Sequence, residues 1–285
     1  MVLLEVTMHP SSIAPADHQP GRASRILRFP LVWMLVGIVG VGGVSALSSG
    51  GSPVPAVVGA IAAVAVYWAV MRYVARRSTP EIARARAGIL ALLGIGLGFM
   101  FIAVSMLMVM TEFSFTWASG SAVATVVSIA AVQLGAAVTE ELLFRGLLLQ
   151  GLERLGGSWF ALTSTAVLFG AIHLANPGAS LWTGFAIAVE AGVLLGATFL
   201  WLRSIWAAVG LHFAWNTTVG LLGLPVSGHA SPGLLIAEPT GPELVTGGQF
   251  GIEGSIVPVA VSLLLAVPML IAAHKRGDLV PMRRR

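Results

Sequence analysis

A chain of 285 residues that is 56% hydrophobic and 10% charged, with a mean hydropathy of +0.90, is too apolar for a soluble domain and marks a polytopic membrane protein. Its net charge of +4 and pI near 10.6 do not call for nucleic acid, because the arginines are scattered at the ends of apolar runs, where they act as topology signals and meet anionic lipid. The absence of cysteine excludes disulfides, thiolate metal sites and a cysteine nucleophile.

In chain order, the first 30 residues contain no apolar core of signal-peptide length and read as a cytosolic tail. Crossing hydrocarbon takes about 20 mostly apolar residues in a helix. Eight stretches qualify: 31–47, 54–74, 88–110, 121–149, 158–175, 181–202, 204–224 and 255–273. They are continuously apolar rather than alternating, so the expected fold is an all-α transmembrane bundle of about eight helices, not a β-barrel. The expected division is a tail over 1–30, helices one to three over 31–120, a four-helix core over 121–224, an extracytoplasmic loop over 225–254, and helix eight with a basic cytosolic tail over 255–285. The glycines of "GIVGVGG" and "GIGLGFM" lie within such runs and read as close-packing positions, since no P-loop lysine follows.

Lys and Arg favour cytoplasmic loops. With the N-terminus inside, Arg72, Arg76, Arg77, Arg84, Arg86, Arg154, Arg203, Lys275 and Arg276 all fall on one side, and the loops on the other side hold neither Lys nor Arg. The expectation is an integral protein of the plasma (inner) membrane with both termini cytoplasmic.

Six ionisable residues interrupt the spans: Glu140, Glu141 and Arg145 on helix four, His173 on helix five, Glu190 on helix six and His212 on helix seven. A charge near mid-bilayer costs about 2.5 kcal/mol or more, so such groups face a protein interior or a water cavity. Glu141 and Arg145 stand four apart, the favourable order for an ion pair, and Glu140 points about 100° away. His212 and Asn216 share a face, and Phe169 precedes His173 by one turn on its own face. Glu190 reads as a buried protonated acid or a partner for one histidine. A lone intramembrane His or Asn is often interhelical glue, but one free carboxylate, two imidazoles and a carboxamide on three helices make a site. Such a set can activate a water for attack on an amide carbonyl and donate hydrogen bonds to the resulting oxyanion. Glu140, His173 and His212 also have the composition of a catalytic zinc site, and the residues alone leave metal-bound and metal-free water both open.

"EELLFR" at Glu140–Arg145, "FGAIH" at Phe169–His173 and "HFAWN" at His212–Asn216 match E-E-x-x-x-R, F-x-x-x-H and H-x-x-x-N in order. On helices four, five and seven these resemble the signature of the CPBP (Abi) intramembrane proteases, which include type II CAAX prenyl endopeptidases and bacteriocin self-immunity proteins. The resemblance covers about residues 121–224. It implies an intramembrane endopeptidase acting on a lipidated, CAAX-type prenylated or membrane-anchored protein, with a cavity reachable from the cytosol. Within it, Glu140 and His173 activate water, His212 and Asn216 form the oxyanion hole, and Glu141, Arg145 and Phe169 support them. The family is commonly labelled metalloprotease, yet glutamate-activated water without metal is the favoured reading. The alternatives are a non-catalytic immunity or scaffolding protein of the same fold, and a transporter using Glu140 and Glu190 as a proton relay, which the absence of visible repeats disfavours.

Overall fold

A computed structural model describes residues 26–48 and 52–282; most of the expected cytosolic tail (1–25) and the last three arginines lie outside them. The described chain is built almost entirely of helices: α1 Pro30–Ser48, α2 Pro53–Ala69, α3 Ala87–Val109, α4 Ala122–Glu141, α5 Gln150–His173, α6 Leu181–Ile187, α7 Leu194–Leu202, α8 Ile205–Leu221, the short α9 Glu243–Thr246 and α10 Ile256–Lys275. Widened π-helical turns at Val70–Val74, Leu142–Leu149 and Ala188–Val193 continue α2, join α4 to α5 and join α6 to α7.

Six runs among the described residues are long and apolar enough to cross a membrane. One of them, Ala122–His173, spans 52 residues and breaks at Gly157, whose φ of 84° and ψ of 171° leave the helix and turn the chain back. It therefore forms two rods. Ile205–Leu221 adds a further rod of 17 residues, just under a full apolar span. Among the described residues eight rods result, at the positions expected from hydropathy. Together with the large apolar side chains left exposed around them, such as Val39, Leu92, Val127, Val167 and Leu264, they make this an integral membrane protein.

The rods end on two unlike faces. The basic face is tied by Arg77 to Glu81 at 2.9 Å and to Gln150 at 3.1 Å, by Arg203 to both oxygens of Glu153, and by Ser158 and Val280 bonding in both directions. The opposite face carries a feature the hydropathy reading did not anticipate. Phe113–Trp117 (β1) and Leu235–Pro239 (β2) form an antiparallel pair in the register Phe113↔Pro239 to Trp117↔Leu235. "FSFTW" alternates in the strand period and is rich in β-formers, but it lies in the connection between the spans 88–110 and 121–149, for which hydropathy gives no structure.

Small residues set the tightest contact, between α3 and α8. A Cβ on Gly94 would lie 2.1 Å from the Ala207 carbonyl oxygen, and one on Gly210 would lie 2.2 Å from that of Ala91. The two backbones touch directly, which is how small residues hold helices together where lipid removes the hydrophobic drive. In "GIGLGFM", Gly94 and Gly98 have this packing role; Gly96 faces open space.

Candidate active site

α4 carries the site. Its residues Ala124, Ser128, Gln133, Ala136 and Glu140 recur at helical spacing and line one wall of a cavity of about 940 Å³. α5 contributes Phe169, Ile172 and His173, α8 contributes His212, Trp215 and Asn216, and the chain after α8 adds Ser227, His229 and Glu253. The four side chains expected to do chemistry, Glu140, His173, His212 and Asn216, thus line a single cavity although they come from three helices.

His212 is the best-held member. Its Nδ1 lies 2.9 Å from Glu141 Oε1, so the nitrogen facing this carboxylate is the protonated one, and Nε2 lies 3.9 Å from Glu140 Oε2. Glu141 is fully buried and shares the same oxygen with Arg145 at 3.0 Å. Arg145 in turn donates to the carbonyls of Ala191 and Gly192, which lie in the π-helical segment between α6 and α7. Its guanidinium sits over the Phe169 ring, 5.3 Å from the centroid. The expected Glu141–Arg145 pair therefore exists and does more than neutralise itself: it fastens α4 to the α6–α7 rod and orients His212 on α8.

Phe169 also stacks on His173 at 4.5 Å between ring centroids, and His173 Nδ1 is held 2.7 Å from the Phe169 carbonyl oxygen. That contact uses Nδ1 as a donor and leaves Nε2 available. Glu140 and His173 line the same cavity, and no direct bond joins them. Glu140 keeps a third of its side chain exposed (32%), whereas Glu141 keeps none. Asn216 donates to Gln133 Oε1 at 3.2 Å.

Three contributors were not singled out from sequence. Gln133 precedes Glu140 by seven residues, two helical turns on the same face, and that spacing was the available signal. Glu253 is buried and accepts both the backbone N–H and the hydroxyl of Ser227, the latter at 2.9 Å; Ser227 is held at a positive φ of 47°, and its carbonyl accepts from Asn176. Burial pushes the Glu253 carboxyl up to about 7, against the Ser227 hydrogen bonds. No local pattern announces a loop carboxylate that folds back over the cavity. Glu190 does not line the cavity, and neither of its buried oxygens has a hydrogen-bond partner among the described residues.

Besides Ile172 on α5, the cavity's exposed lining residues are Ala124 at the start of α4 and His229–Pro232, and these mark the mouth. That mouth lies on the face opposite the basic one. Among the described residues no three His, Asp or Glu side chains stand close enough to hold a metal ion. Glu140, His173 and His212, the donors expected for zinc, do not form such a group.

Residues 122–218 match a family model described as type II CAAX prenyl endopeptidase Rce1-like. Over this stretch the chain is similar to an Rce1-like domain. The match runs from the start of α4 nearly to the end of α8 and takes in Glu140, Glu141, Arg145, Phe169, His173, His212 and Asn216, all seven motif positions. The similarity is confined to these residues; helices α1 to α3 and α10 lie outside it. No curated protein and no solved structure matches the chain.

Proposed function

We propose that this Rce1-like protein is an intramembrane endopeptidase that hydrolyses a peptide bond in a lipidated, CAAX-type prenylated or membrane-anchored protein. The observation that carries the reading is the convergence of Glu140, His173, His212 and Asn216 on one cavity whose deep wall is an otherwise apolar helix.

The chemistry follows from the side chains. Glu140 accepts a proton from a water that His173 Nε2 helps to orient, and the water oxygen bonds to the scissile carbonyl carbon. His212 and Asn216 donate to the oxyanion as charge develops on it. With Nδ1–H committed to Glu141, His212 serves as that donor only with both ring nitrogens protonated. Collapse of the tetrahedral species breaks the C–N bond, and the proton held by Glu140 passes to the leaving amine. The buried Glu141–Arg145 pair keeps the imidazole in register with the carboxylate it faces.

Comparing the membrane proteomes of cells that express the wild type or Glu140→Ala tests the proposal. New protein termini that appear only with the wild type, at equal expression, support it; identical termini in the two proteomes refute it.

A further inference from the structure

The cavity mouth and the arginines lie at opposite ends of the bundle. Arg72, Arg76, Arg77, Arg84, Arg86, Arg154, Arg203, Lys275 and Arg276 follow α2, precede α3, or flank the Gly157, α7–α8 and α10 ends. The connections at the other end, 110–121, 174–180 and 222–255, contain no Lys or Arg and four glutamates, Glu112, Glu238, Glu243 and Glu253. They are knitted together by the β1–β2 pair, by Thr240 N–H on the Glu112 carbonyl, by Asn176 on the Ser227 carbonyl and by Trp182 Nε1 on the Gly254 carbonyl. Every loop residue lining the cavity belongs to this acidic end.

The route inward is also built. α4 packs on α2 and α8, α5 packs on the α6–α7 rod, and the cavity that both line at the acidic end is the wedge between them. Thr125, Ser128 and Gln133 form a polar track down α4 to Glu140, about 22 Å at 1.5 Å per residue. Ile172, on the α5 side of the wedge, both lines the cavity and is 48% exposed, giving the wedge an apolar lip toward lipid.

Lys and Arg are retained on the cytoplasmic side of a membrane protein. Resting on the peptidase reading above, we propose that the scissile segment enters from the extracytoplasmic side, through the wedge between α4 and α5. The substrate class is then a membrane-anchored polypeptide that exposes its cleavable segment on the outer side next to its anchor, rather than a prenylated C-terminus presented from the cytosol.

The chain contains no cysteine, so single cysteines can be introduced without background. Ser231→Cys marks the exposed mouth and Ser78→Cys the basic face. Each variant, in sealed right-side-out and inside-out membrane vesicles, is treated with a membrane-impermeant polyethylene-glycol maleimide. The expected result is that Ser231→Cys reacts only in right-side-out vesicles and Ser78→Cys only in inside-out ones. After solubilisation, the conjugate at position 231 loses cleavage of an extended fluorogenic peptide relative to its own unlabelled form, and the conjugate at 78 keeps it. Reaction of Ser231→Cys from the cytoplasmic side overturns the sidedness. Full cleavage by the 231 conjugate overturns the route. If no Glu140-dependent cleavage occurs while labelling follows the expected pattern, the peptidase reading fails and the entry route fails with it; the intact labelling pattern tells this from an error of sidedness.

Discussion

Replacing Glu141 with glutamine separates holding the site from performing its chemistry. The carboxylate is fully buried and, among the described residues, is the only anionic partner in contact with Arg145, at 3.0 Å, and with the Nδ1 of His212, at 2.9 Å. A neutral amide at this position would leave the Arg145 guanidinium, on a side chain only 2% exposed, facing the carbonyls of Ala191 and Gly192 with no countercharge in contact. Removing one partner of a buried pair costs about 3–5 kcal/mol. Glu140→Gln touches a side chain that is 32% exposed and lies 3.9 Å from His212 Nε2, so its cost to stability should stay under about 1 kcal/mol. Reversible unfolding in detergent, followed by tryptophan fluorescence, measures both. The double variant Glu141→Gln/Arg145→Met removes both charges and should recover at least half of the single variant's loss, because no uncompensated charge remains. It should not recover cleavage, because His212 still lacks its carboxylate. Glu141→Gln within about 1 kcal/mol of wild type, or a double variant less stable than the single, would refute the anchoring role.

Three further outcomes are expected. The Glu253 carboxyl, pushed to about 7 by burial from an ordinary value of 4.5, holds more proton folded than unfolded between those values; stability therefore falls as pH rises through that window, by up to roughly 3 kcal/mol, and Glu253→Gln should flatten the unfolding midpoint between pH 5 and 8. Gly210→Ala inserts a Cβ 2.2 Å from the Ala91 carbonyl oxygen and should lower stability by about 1–3 kcal/mol, whereas Gly96→Ala, with open space around it, should leave stability equal or slightly raised; equal effects in thermal unfolding would contradict the α3–α8 contact. Dialysis against a chelator should leave the cleavage rate unchanged, and a loss restored by zinc would overturn metal-free water activation.

Much of this architecture was legible in the chain because lipid imposes one simple demand: each span must be helical, long and apolar. That demand located the eight rods within a few residues, and the return at Gly157 fell where the fourth and fifth spans were divided. The strands at Phe113–Trp117 and Leu235–Pro239 escaped because their pairing joins distant parts of the sequence, and nothing local marks it. At the site, one-dimensional spacing placed Glu141 and Arg145 together and set Glu140 apart from them. It could not show that Glu141 also holds His212 from 71 residues away, a contact between helices that only packing creates. Gln133 carried a readable signal in its seven-residue offset from Glu140, while Glu253 reaches the cavity only through the fold of the acidic loop.

The central claim is that Glu140 performs chemistry and Glu141 holds the site. The most direct test is the rate at which purified protein cleaves a fluorogenic prenyl-peptide and an extended unlipidated peptide, wild type against Glu140→Gln, with the unfolding midpoint measured on the same samples. Loss of a general base predicts a fall of about 10²- to 10⁴-fold with the midpoint unchanged. Cleavage by Glu140→Gln at the wild-type rate would contradict the account.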